Sequence, residues 1–180
     1  MNERQIQIAT AATSLFLTEG VGVSTARIAQ AAGVSNGTLF NAFPTKQALI
    51  DAIYRTAKTE MFAAIPNAAD APFNRQTFYQ NWCGYLAWAQ ANREKCRIMH
   101  FLLESGLASQ STQAEVAQMG IPHGVWLQNA LDAGLITGPS VTFVADLIFF
   151  FADRVINDNL GTQDADLAFG MLTNAIGLTK

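Results

Sequence analysis

The 180-residue chain is short of the residues that usually cross-link, bind metals or carry chemistry: it has two cysteines, two histidines and five prolines. Cys83 and Cys96 form no C-x-x-C pair, so a disulfide framework is not expected, and buried inert thiols are the default. His100 and Glu104 lie one helical turn apart and could supply half of a metal site. No H-E-x-x-H pattern accompanies them, and neither metal nor cofactor is expected. There is no Ser-His-Asp grouping, phosphate loop or distinct carboxylate pair, so the chain is not expected to be an enzyme. Charged residues make up only 14% of the chain against 50% hydrophobic ones. That balance excludes disorder and suggests a further apolar surface hidden in an oligomer. The longest apolar run, from Val141 to Ala152, is interrupted by Asp146 and followed by Asp153. It falls short of the roughly 18 residues of a membrane span. The N-terminus MNERQIQ is polar with no apolar stretch behind it, so no signal peptide is expected and the cytoplasm is the expected location.

What the chain does have is helical periodicity, and its most informative stretch is STARIAQAAGVSNGTLFNAFPTK, from Ser24 to Lys46. Gly33 marks a turn where a helix ends in a left-handed conformation that only glycine adopts cheaply. Ser24 then caps a helix from about Thr25 to Ala32, and Ser35 caps a second from about Asn36 to Ala42. Ile28, Ala29 and Ala32 share one face of the first; Leu39, Ala42 and Phe43 share one face of the second. The pair can pack closely as a helix-turn-helix, whose second helix can enter a DNA major groove. With Leu39 inward, Gly37 and Asn41 point outward, flanked by Thr38 and Phe40. Asn41 can offer adenine a bidentate donor and acceptor pair from its amide, Thr38 can touch a thymine methyl, and Gly37 allows close approach.

Around this stretch the pattern stays helical. A first helix from about Arg4 to Thr18, closed by Gly20, braces the other two, since short helices cannot bury a core alone. Thr45 can cap a helix running to about Ile65, and Pro66 to Pro72 reads as a loop. Helical patterns follow over about 74–91, 93–107, 112–133, 141–157 and 165–178, with Asn92, Ser111, Ser140 and Asp164 as caps. Pro122 is expected to kink or split the third of these. The fold class is all-α, with a DNA-binding domain over residues 1–47 and a helical ligand-binding and dimerisation domain over 48–180. Residues 1–60 carry a balance of +1 and the remainder −4, out of a total of −3. An acidic body with a mildly basic end fits a protein that touches DNA through one end.

The sequence resembles the TetR family of bacterial transcriptional regulators. The resemblance covers about residues 4–50 and rests on Phe16 and Gly20, Ser24-Thr25, Ile28-Ala29, Ala31 to Ser35, Gly37 to Leu39, Phe43-Pro44, Lys46 and Ala48-Leu49. It implies that Ser35, Asn36, Gly37, Thr38, Phe40 and Asn41 lie on or near the groove-facing part of the recognition helix. It also implies that Thr25 and Lys46 meet backbone phosphates. Asn36 stands where the family often has Lys, Phe40 where it often has Tyr, and Ala42 where it often has His. Each change removes a phosphate or polar contact.

The later helices carry two further expectations. Phe143, Leu147, Phe150 and Phe151, with Leu167, Met171 and Leu172, make helices too apolar to stay exposed. They suggest a four-helix interface between two copies, with Phe169 and Ile176 alongside. Phe78, Trp82, Tyr85, Met99, His100, Leu103, Met119, His123, Trp126 and Phe149 are grouped as a pocket for an apolar or aromatic small ligand. The expected function is a ligand-responsive regulator, a repressor that binds palindromic operator DNA as a dimer and is released by its effector. The alternative is a helical ligand-binding protein or enzyme whose helix-turn-helix is only scaffold.

Overall fold

A computed structural model describes residues 1–158 and 160–178. Asn159, Thr179 and Lys180, inside the expected second domain, lie outside the described residues. The described residues form nine helices and no strand: α1 Glu3–Glu19, α2 Thr25–Ala31, α3 Asn36–Ala42, α4 Lys46–Ala63, α5 Arg75–Ala91, α6 Arg93–Glu104, α7 Gln110–Asp132, α8 Val141–Asn157 and α9 Thr162–Ala175. The chain is all-α, as its periodicity requires.

The chain divides into two compact units, Met1–Glu60 with Asn92–Val116, and Met61–Ala91 with Ala117–Lys180. In the first, α1 packs on α2, α3 and α6. Its centre is Ile8, Phe16, Ile28, Leu39, Leu49, Ile98 and Leu102, all essentially excluded from solvent. The packing unit therefore takes in α6, which lies beyond the functional boundary expected near residue 47. In the second unit, α8 packs against both α5 and α9. Here the interior is aromatic: Phe78 and Phe169 lie 5.3 Å apart, Trp82 and Phe169 5.9 Å, and Phe73 and Trp126 4.5 Å.

Several helix ends differ from expectation, each for a local reason. α6 stops at Glu104 rather than near Leu107, because Gly106 takes φ 64° and the Leu107 N–H returns to the Leu102 carbonyl. Ser109, not Ser111, accepts from the first turn of α7, at 3.3 Å from the Thr112 nitrogen. Asn92 precedes α6 without a side-chain cap bond, and α9 begins before Asp164, at Thr162 with Gly161 as its N-cap. Pro122 does not split α7, which runs unbroken through it. Pro122 and Gln118 are both exposed, so water can take the carbonyl that the missing N–H would have bonded. Ser140 caps α8 as expected, accepting from the Phe143 N–H.

Candidate nucleic-acid interface

The turn between α2 and α3 is held by bonds that the chain makes to itself. The Ser24 and Ser35 hydroxyls accept from the Arg27 and Thr38 N–H groups, at 3.2 and 3.0 Å. Gly33 adopts φ 64°, its N–H bonding the Gln30 carbonyl while that of Val34 reaches the Ala29 carbonyl. These two bonds satisfy the carbonyls that the end of α2 would otherwise leave bare. Ile28, Ala29, Ala32, Leu39 and Phe43 are all buried, which sets α2 against α3 in one arrangement.

Bonds from α1 brace the pair further. The Gln7 amide donates to the Ala32 carbonyl at 2.8 Å, and the Gln5 amide to the Ala42 carbonyl at 3.2 Å. Two glutamines of one helix thus cap the C-terminal ends of the other two. Sequence reading missed them, because nothing local marks a glutamine as a partner for a carbonyl tens of residues away.

With its inner side fixed, α3 presents Asn36, Gly37, Phe40 and Asn41 on the exposed side, at helical positions that share one face. Phe40 is 41% exposed, unusual for a ring on an otherwise well-packed unit. Ser35 is exposed and Thr25 and Thr38 are half-buried. The Thr38 hydroxyl lies 2.8 Å from that of Ser35, so both are engaged in the cap.

Lys46, expected to meet a backbone phosphate, is engaged within the protein. Its ammonium donates to the carbonyls of Val21 and Val23, the latter at 2.6 Å, and stands over the Phe16 ring at 5.9 Å. Bare carbonyls in the loop between α1 and α2 attract the charge before solvent does. Thr45, beside it, caps α4 through the Ala48 N–H at 3.0 Å. Arg27 is likewise engaged, with Glu19 at 3.2 Å.

The other grouped residues are divided between the two units. Met99, His100 and Leu103 belong to α6 in the first unit, where Met99 is buried and Leu103 is 49% exposed; the rest of the expected pocket belongs to the second. Phe78, Trp82, Tyr85 and Trp126 are buried there, with Met119, His123 and Phe149 half-buried. The Trp126 indole N–H donates to the Ala71 carbonyl at 2.9 Å. The Trp82 indole nitrogen and the His123 Nδ1 are buried with no partner among the described residues. His123 stacks on Phe62 at 5.3 Å, and burial, partly offset by the Ile65 carbonyl, lowers its pKa.

Of the surface expected to meet a second copy, Phe143, Phe150, Leu167 and Met171 are exposed by 49%, 62%, 65% and 56%, and Leu147 and Phe151 are half-buried. Leu172, Phe169 and Ile176 are instead buried within their own unit, on the side of α9 that closes the interior. An open groove of about 480 Å³, lined by Arg75, Gln76, Tyr79, Asp166 and Phe169, went unread in the sequence. There the Tyr79 hydroxyl donates to Asp166 at 2.6 Å, which raises the phenol's pKa.

A braced helix-turn-helix with a free outward face on its second helix defines a DNA-binding regulator of the helix-turn-helix class. Residues 8–53 match the pattern of the family described as bacterial regulatory proteins, tetR family. The whole chain shares its fold with solved structures. A TetR family transcription regulator from Marinobacter aquaeolei VT8 is 18% identical with a TM-score of 0.83, covering 96% of this chain and 95% of that one. A bacterial regulatory protein in the tetR family from Rhodococcus RHA1 is 21% identical with a TM-score of 0.74, covering 96% and 98%. A protein from Shewanella sp. PV-4 is 23% identical with a TM-score of 0.81, covering 97% and 98%. No helix among the described residues is long and apolar enough to cross a membrane.

Proposed function

We propose that this protein is a cytoplasmic repressor that binds palindromic operator DNA as a dimer, through residues 1–47, and releases it when a small apolar or aromatic effector binds within residues 48–180. The observation that carries the DNA-binding part is the outward face of α3, where Asn36, Gly37, Phe40 and Asn41 stand free while Leu39 beneath them is fully buried. In a dimer, two such helices enter successive major grooves about 34–36 Å apart. Thr25, Ser35 and the first-turn N–H groups of α3 meet the backbone. Lys46 acts by holding the loop before α2 in place.

The exposed apolar side chains of α8 and α9 support the dimer, since Phe150 and Leu167 together leave a large apolar surface in water. The unpartnered Trp82 and His123 nitrogens support an effector that carries a polar atom on an apolar body. Its binding must favour the DNA-incompetent arrangement of α4 to act at all.

Fluorescence anisotropy against the DNA flanking the gene, at several salt concentrations, tests the proposal. Sequence-selective binding with a negative salt slope is expected. An absence of binding at low salt would sink it. Phe150→Glu is expected to convert the dimer to monomer in analytical ultracentrifugation and to weaken operator binding with it.

A further inference from the structure

We infer that the operator half-site is an A·T core, read as adenine edges and thymine methyl groups, with Phe40 as the thymine contact and Asn41 as the adenine reader. The inference rests on the DNA-binding role of α3 proposed above. In the major groove guanine shows two acceptors, matched by Arg or Lys, and cytosine shows a donor, matched by Asp or Glu. The helix NGTLFNA carries none of these four residues. Two cations of the same unit are engaged elsewhere: the Lys46 ammonium is bound to the Val21 and Val23 carbonyls, and Arg27 is paired with Glu19. What α3 exposes is two carboxamides, on Asn36 and Asn41, and the ring of Phe40. A carboxamide matches the adjacent acceptor and donor of adenine, and the apolar feature a phenyl ring can meet in the groove is the thymine methyl. Thr38 adds to the same preference. Its hydroxyl is engaged with Ser35 at 2.8 Å, which leaves its methyl group to offer. Contact with a thymine methyl would also recover part of the cost of keeping the Phe40 ring 41% exposed.

Selection of the full-length protein on a randomised duplex library, followed by anisotropy on the enriched site, tests the inference. A·T pairs are expected at the positions facing α3. Replacing the contacted thymine by deoxyuridine, which removes only the methyl, is expected to weaken binding about fourfold, the worth of burying one methyl-sized group. That penalty is expected to vanish in Phe40→Ala, whose far-UV circular dichroism should match the parent because the ring is exposed. Asn41→Ala is expected to cost at least about fivefold and to relax the adenine preference at one position. Enrichment of G·C pairs at those positions, or a uracil penalty undiminished in Phe40→Ala, would overturn the inference while leaving the regulator in place. Failure to bind any duplex at low salt would overturn both.

Discussion

Gly37 has no steric task within the protein, since a Cβ built there would meet only the Ser35 hydroxyl, at 3.8 Å. Glycine in a helix costs about 1 kcal/mol relative to alanine. Gly37→Ala is therefore expected to raise the thermal midpoint while weakening DNA binding, a pair of opposite shifts that calorimetry and anisotropy would separate. If both improved, Gly37 would have no part in the groove contact. Lys46 gives the reverse case. Lys46→Met removes a charged donor from two loop carbonyls and should cost about 1–3 kcal/mol in urea unfolding. Asn41→Ala, on an exposed side chain, should leave unfolding unchanged. The two serine caps and Gly33 were legible in the sequence because each acts within a few residues of itself. The carbonyls that hold Lys46 lie on another loop, so its bonds to them could not be read from the sequence.

Among the elements, α5 depends most on a close approach. A Cβ on Gly84 would lie 2.1 Å from the Ala64 carbonyl oxygen, a backbone atom that cannot swing aside. Nearby, Asn81 is buried and exchanges bonds with Asn67: its Oδ1 accepts from the Asn67 N–H at 2.8 Å and its amide donates to the Asn67 carbonyl at 3.0 Å. The segment from Pro66 to Pro72 was legible as a loop from its prolines and small residues. That one asparagine and one glycine of α5 pin this loop was not, because both look like ordinary surface residues in a helical pattern. Gly84→Ala should cost about 1–3 kcal/mol as an overpacked site. Gly124→Ala, in α7 with nothing within 4 Å of the new Cβ, should instead stabilise by up to about 1 kcal/mol. Equal effects of the two would show that the Gly84 contact relaxes freely.

At the scale of the whole molecule, acid is expected to weaken each unit through a different group. His123 is neutral in its half-buried place, and burial holds its pKa below the ordinary histidine value, against the Ile65 carbonyl. The unfolded chain then binds a proton more readily than the folded one, so this contribution is complete above about pH 6.5 and declines as the pH falls below it. Asp51, in the first unit, follows at lower pH. Burial pushes its carboxyl up, but the Ser109 N–H at 2.8 Å, the Gln47 and Ser109 side chains and the charge of Arg55 outweigh that and leave its pKa lowered. Its contribution is present above the ordinary carboxylate value and is lost as the pH drops through the folded one. Thermal unfolding of the parent at pH 7.5, 5.0 and 2.5 should show stability falling at each step. His123→Phe should flatten the first step, and Asp51→Asn the last. An unchanged first step in His123→Phe would remove His123 as its cause.

The sequence by itself determined the helices, the turn at Gly33, the caps at Ser24, Ser35, Thr45 and Ser140, and the outward side of α3. All of these follow from local backbone preference and a period of 3.6 residues. Only the tertiary structure decided which side of α9 faces inward. Leu172 is buried and Met171 is 56% exposed, although both are apolar and adjacent. Periodicity tells which residues share a face, but where apolar residues occur on every side it cannot tell which face a neighbour covers. The same limit hid Gln5, Gln7 and Lys46, whose partners are backbone carbonyls on other elements. A carbonyl has no signature in a sequence; it becomes a partner only when folding leaves it unpaired within reach of a donor.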